Sequence, residues 1–157
     1  MHLLCLINLS DCRSMKISFA DYRTSICTTI HAPPETVWDI VTDTRLWPEW
    51  GPSLQKVVCA DRTILHGSKG RLKTVFNVWL PFSITQYTHI SYWSWRVGGV
   101  EATGHRITRN RDNSSTLCFE MAWWFFPYLL VCRLALKRID KLAADISASD
   151  PHIRRKQ

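Results

Sequence analysis

Residues 32–52 read APPETVWDIVTDTRLWPEWGP, and the rest of the chain is laid out around this stretch. Pro33 and Pro34 break any preceding strand. Pro34 suits the first turn of a helix, and Glu35 complements its positive N-terminal end. Val37, Trp38, Ile40 and Val41 fall at helical spacing, with Glu35, Asp39 and Asp43 on the wet side. Pro48 stops a continuous helix, so Thr44 to Trp50 reads as a short second helix or turn. Gly51-Pro52 leads back into extended chain.

On either side the period changes from helical to alternating. Thr24 to Ile30 reads as a first strand, rich in β-branched residues. Downstream, strands are expected over Ser53–Ala60, Arg71–Val78, Phe82–His89, Tyr92–Val97, Ala102–Asn110 and Ser115–Trp123. Leu80-Pro81 and Gly98-Gly99 read as turns, and Arg111–Ser114 as a hairpin connection. The last element, about 125–147, carries Tyr128, Cys132, Ala135, Leu136, Ile139, Leu142, Ala143 and Ile146 on one stripe. Arg133, Lys137, Lys141 and Ala144 lie on another face. The order is strand, helix, short helix, six strands, long helix. It predicts an α+β domain in which a predominantly antiparallel sheet is covered by the C-terminal helix.

The chain has 157 residues, enough for one domain, and 46% are hydrophobic. Eight Trp, six Phe and four Tyr can fill a core or line an apolar pocket. The net charge of +7 is lopsided. Residues 1–60 hold five Lys/Arg and six Asp/Glu, against fifteen and seven in 61–157. Such a basic half suits anionic partners or a solvated face, but no nucleic-acid-binding signature accompanies it, so nucleic acid is not expected. None of the six cysteines forms a CxxC pair, and no metal or cofactor motif is present. Cys118 and Cys132 sit in apolar runs, and free thiols in a reducing, cytoplasmic setting are expected. The longest apolar run, Met121 to Cys132, is too short to span a bilayer. Leu3 to Ile7 is apolar but lacks a basic flank or a clear cleavage site. Residues 1–14 are expected to be an extension, 15–148 the domain, and 149–157 a basic tail.

Four segments together resemble the START-like, or SRPBCC, superfamily, in its polyketide cyclase/dehydrase and lipid transport branch. They are APPETVWDIVTDTRLWPEWGPSLQKV, GSKGRLKT, WSWRVGGVEATGHRIT and PYLLVCRLALKRIDKLA, within about residues 24–145. The resemblance implies a helix-grip fold: a seven-stranded curved antiparallel sheet wrapped around a long C-terminal helix, with two short helices between strands 1 and 2. It also implies a hydrophobic cavity between sheet and helix. Members bind lipid-, sterol- or polyketide-like molecules, and some are aromatases or cyclases.

Candidate site residues follow. His105 and Glu120, on the two strands of the last hairpin, would make a general acid/base pair if they meet across the ladder. The alternative is a half-buried strand histidine and a Glu120 that simply pairs with Arg106. Trp79, Trp93, Trp95, Trp123 and Tyr128 are candidates for lining the cavity, or else they fill it. Trp47 and Trp50 stand where the short helix could rim its entrance, and Trp38 reads as core. Arg133 could anchor an acidic head group. Arg62, Lys69, Arg71 and Lys73, with Arg106, Arg109 and Arg111, would serve a transient membrane-surface contact.

The leading reading is a non-catalytic module that binds a hydrophobic or amphiphilic small molecule. A cyclase or dehydratase using His105 and Glu120 is the second, and a protein-interaction or toxin-like module the third. Oligomeric state is left open. The volume and lining of the cavity discriminate among the three.

Overall fold

A computed structural model describes residues 15–20 and 22–149. The expected extension 1–14 and almost all of the tail lie outside the described residues.

Among the described residues eight strands make one antiparallel sheet: β1 (Lys16–Ala20), β2 (Arg23–Ile30), β3 (Leu54–Cys59), β4 (Lys69–Thr74), β5 (Trp79–Thr88), β6 (Tyr92–Val97), β7 (Val100–Arg109) and β8 (Ser115–Ala122). The spatial order is β1-β2-β8-β7-β6-β5-β4-β3, so β1 and β3 are free edges and the sheet is not closed. Helices α1 (Pro34–Thr42) and α2 (Trp47–Trp50) sit between β2 and β3. A 3-10 turn (Trp123–Tyr128) leads into α3 (Leu129–Ser149).

The strand count corrects the expected seven. Lys16–Ala20 folds back on β2 through a tight turn in which Tyr22 takes a left-handed backbone, φ 62°. The β1 side chains are all exposed, so no one-sided apolar alternation marked them as a strand. Three further boundaries differ from the expectation. The expected strand over 71–78 ends at Thr74, because Asn77 turns the chain at φ 61° and the Thr74 N–H donates to the Val78 carbonyl. Asn is among the few residues that accept this conformation readily. Leu80-Pro81 is then strand rather than turn, with Pro81 opposite Arg71. The last helix begins at Leu129, four residues later than expected, after a 3-10 turn holding Pro127.

The expected α1 is present. Val37, Trp38, Ile40 and Val41 are buried, and Thr42 Oγ1 bonds back to the Trp38 carbonyl. The WPEW segment has a specific structural task. Carbonyls in the last turn of a helix lack intrahelical partners. Trp47 Nε1 donates to the Val41 carbonyl at 3.0 Å, and Trp50 Nε1 donates to that of Ile40 at 3.2 Å. Two indoles thus tie α2 to the end of α1 while burying their rings. The link between the helices is held by Asp43, which accepts from the Arg45 and Arg62 guanidiniums and from the Arg45 backbone N–H. Burial pushes the Asp43 carboxyl up, but these donors outweigh it and hold it below the usual carboxylate range.

The core lies between the inner face of the sheet and the α1–α2–α3 layer. Alternation along β8 turns Leu117, Phe119 and Met121 inward, and α3 supplies Cys132, Ala135, Leu136, Ile139 and Ala143. Trp47 occupies its centre, fully buried, with its ring against Phe82, Trp93, Trp95 and Trp50. Trp38 is core as expected.

The register also brings Cys27 of β2 directly opposite Cys118 of β8, and the two form a disulfide. This corrects the expectation of free thiols for that pair. The apolar run around Cys118 alternates, so Cys118 faces away from the core, where its opposite number on β2 is another cysteine. Cys132 is a buried free thiol, as expected, and Cys59 is free and half-buried.

Candidate functional site

A small cleft opens between the sheet and the helical layer. Trp95 of β6, Thr103 and His105 of β7 and Phe119 of β8 form one wall. Tyr128, Val131, Cys132 and Ala135 form the other, and Trp50 to Leu54 close the end. Its volume is about 30 Å³, room for about two water molecules. Among the described residues this cleft is much smaller than the cavity implied by the resemblance, and Trp47, Trp93 and His105 pack the interior beside it.

No Lys, Arg, Asp or Glu lines the cleft. Its polar atoms come in two groups. At the floor, Trp95 Nε1 donates to Thr103 Oγ1 (3.2 Å), and that hydroxyl bonds His105 Nε2 (3.3 Å). The hydroxyl carries one proton and two lone pairs, so with the indole as donor it can either donate to Nε2 or accept from it, according to the imidazole tautomer. Nδ1 meets no partner at hydrogen-bond geometry. At the mouth, the hydroxyls of Tyr128 and Ser53 bond each other at 2.9 Å.

His105 is 1% exposed, and burial brings its pKa down to about 3, with the Trp93 backbone offsetting this only in part. It is a neutral imidazole at physiological pH. Burial also pushes the Cys132 thiol up to about 12, so the sulfur lining the cleft stays protonated. Burial raises the Tyr128 hydroxyl as well.

The structure does not bring His105 and Glu120 together. Glu120 is opposite Gly104, and His105 is opposite Phe119, so the two side chains leave the sheet on different faces. Glu120 instead takes Arg106 Nε at 2.6 Å on the outer face, where the Arg106 guanidinium also lies 4.6 Å from the Tyr92 ring centroid. The paired acid/base arrangement is therefore not formed, and the alternative pairing with Arg106 is.

Of the other candidates, Trp50, Trp95 and Tyr128 line the cleft. Trp47 and Trp93 are buried behind it, with Trp47 at the core centre rather than at the entrance. Trp79 and Trp123 are exposed and outside it, as is Arg133 on the outer side of α3. The basic group also divides. Arg62 pairs with Asp43, Arg106 with Glu120 and Arg109 with Glu35, whereas Lys69, Arg71 and Lys73 stand together on β4.

Thr103, Phe119, Cys132 and Ala135 were not singled out as site residues. Thr103 was within reach: two residues before His105 on one strand, it shares the same face. Phe119 needed the β7–β8 register. Among the described residues no three His, Cys, Asp or Glu side chains converge where a metal ion would sit, and no helix is long and apolar enough to cross a membrane.

A single antiparallel sheet covered by a long C-terminal helix, with an uncharged cleft between the two layers, defines a helix-covered α+β fold. The chain belongs to the polyketide cyclase/dehydrase and lipid transport family, whose model matches residues 21–139. Solved structures share the fold at low identity. A Rhodobacter sphaeroides protein is 11% identical with a TM-score of 0.63, covering 84% of this chain and 99% of that one. A Mycobacterium smegmatis protein is 14% identical with a TM-score of 0.58, covering 82% and 94%. A conserved protein of unknown function from Enterococcus faecalis is 14% identical with a TM-score of 0.59, covering 82% and 75%. No curated protein matches the chain.

Proposed function

We propose that this chain binds the apolar end of an uncharged or amphiphilic small molecule in the cleft between β6–β8 and α3. The observation that carries this reading is the lining: aromatic and aliphatic side chains with no formal charge, and hydrogen-bonding groups only at floor and mouth. Burying apolar surface supplies the affinity, at about 25 cal/mol per Å² before binding costs. The neutral His105–Thr103 pair offers a hydrogen bond to a hydroxyl or carbonyl. A carboxylate or phosphate at the floor would be left without a counter-charge, so an anionic head group stays outside. The small volume suits no more than a chain end, with the remainder of the ligand lying across the mouth. The family's lipid transport and cyclase/dehydrase members make both ligand classes reasonable.

Native mass spectrometry of protein purified from cells, followed by titration of the extracted ligand against tryptophan fluorescence, tests this. Ala135→Phe fills the cleft from α3 and abolishes binding while the protein still melts cooperatively. Retained ligand in that variant, or no ligand in the parent protein, overturns the reading.

A cyclase or dehydratase reading retains one supporting observation, His105 at the cleft floor. Without Glu120 beside it, the imidazole and the Thr103 hydroxyl would carry any proton transfer, and a base of such low pKa is a weak one. Unchanged ligand turnover in His105→Gln removes that reading.

A further inference from the structure

We propose that the outer face of β3–β5, with the turn at residues 75–78 as its tip, docks on an anionic lipid bilayer surface. Lys56 and Lys73 stand directly opposite each other across β3 and β4, and Lys69 and Arg71 leave β4 on the same side as Lys73. Like charges directly opposed on a sheet destabilise it in water. None of these four cations enters an ion pair among the described residues, in contrast to Arg62, Arg106 and Arg109. An arrangement of cations without carboxylates is relieved by an external anion.

The chemistry at the tip selects which anion. Phe76 is 85% exposed, with Val75 and Val78 exposed on either side of it in the turn. Trp79 follows, opposite Lys73 and half-exposed, with the Arg71 guanidinium 5.6 Å from its ring centroid. A nucleic acid would satisfy the cations but leave the Val–Phe–Val tip in water. A bilayer accepts both: phosphate and serine head groups meet the lysines, Trp79 lies at head-group depth, and Phe76 enters the acyl boundary. The tip is also joined to the cleft. The Val75 N–H donates to the Ser53 carbonyl and Gln55 Nε2 donates to that of Val75, while Ser53 lines the mouth with Tyr128. Docking there sets the cleft mouth beside the membrane. The inference stands on the surface alone and does not depend on the ligand reading.

Co-sedimentation of the full chain with vesicles tests it, comparing phosphatidylcholine alone with phosphatidylcholine containing phosphatidylserine. Binding is expected to the second, to weaken as salt is added, and to be slight on the first. Phe76→Ser weakens it by roughly tenfold or more. Lys56→Ser with Lys73→Ser weakens it by roughly tenfold or more as well. Phe76 and Lys56 are exposed and Lys73 is half-buried on the outer face, and unchanged melting temperatures verify the fold. Ala135→Phe leaves vesicle binding intact, which separates failure here from failure of the ligand reading. Equal binding to both vesicles overturns the proposal, as does indifference to Phe76→Ser. A protein that ignores vesicles yet binds duplex DNA equally well with and without Phe76 overturns it too.

Discussion

The His105 imidazole lies nearly flat against the Trp93 indole, ring centroids 3.8 Å apart and 15° from parallel. The two residues are direct partners across β6 and β7, and Trp47 stacks on Trp93 in turn, at 5.5 Å and 4°. This series of rings packs the interior between the sheet and the helices. It also leaves a titratable group with its water removed, at the polar floor of the cleft.

The pH dependence follows from that burial. The folded His105 pKa, about 3, lies below the unfolded value of 6.5, so the unfolded chain binds the proton more readily. The contribution is fully present above pH 6.5 and is lost as pH falls toward 3. It amounts to about 1.4 kcal/mol per pH unit across that window. Urea unfolding at several pH values is expected to show this slope in the parent protein and to lack it in His105→Gln. An identical slope in both would contradict the burial argument.

Gly70 is required by two close neighbours. A Cβ there would meet the Val58 carbonyl oxygen at 2.4 Å and the Phe82 ring at 2.7 Å. The first is backbone of the paired strand and cannot rotate away. Gly70→Ala is therefore expected to destabilise by about 1–3 kcal/mol and to loosen the β3–β4 edge. Denaturant midpoints measure the first effect, and faster amide exchange in β3 the second. A neutral substitution would show that the edge yields without cost.

The Cys27–Cys118 bond joins strands 91 residues apart in sequence. Cross-linking over a long loop restricts the unfolded chain, with a typical stabilisation of about 2–4 kcal/mol. Under non-reducing conditions, iodoacetamide is expected to leave both residues unmodified. The Cys27→Ser, Cys118→Ser double variant is expected to melt lower. Modification of either cysteine in the folded, unreduced protein would show that the bond is not formed in solution.

Glu120 and Arg106 form a surface pair with the guanidinium about half exposed. Such pairs contribute roughly 0–1 kcal/mol. Glu120→Gln should cost no more than that and should leave ligand affinity unchanged, since the side chain is on the other face of the sheet from the cleft. A large loss of binding in this variant, with stability intact, would reopen the acid/base assignment.

Much of this protein is decided locally and is legible without coordinates. The prolines at 33, 34 and 48 bound α1 and α2, alternation marks the strands from Leu54 onward, and the 3.6-residue stripe from Cys132 to Ala143 marks the covering helix. These are nearest-neighbour properties of backbone sterics and burial period. What depended on tertiary structure is pairing register and packing depth. A shift of one residue between β7 and β8 would have put Glu120 beside His105; the register observed puts Gly104 there and sends Glu120 to the outer face. The same kind of fact joined Cys27 to Cys118, set Lys56 against Lys73, and placed Trp47 in the space a larger cavity would occupy. Side-chain alternation is repeated along every strand, but which residue stands opposite which is set by contacts distant in sequence.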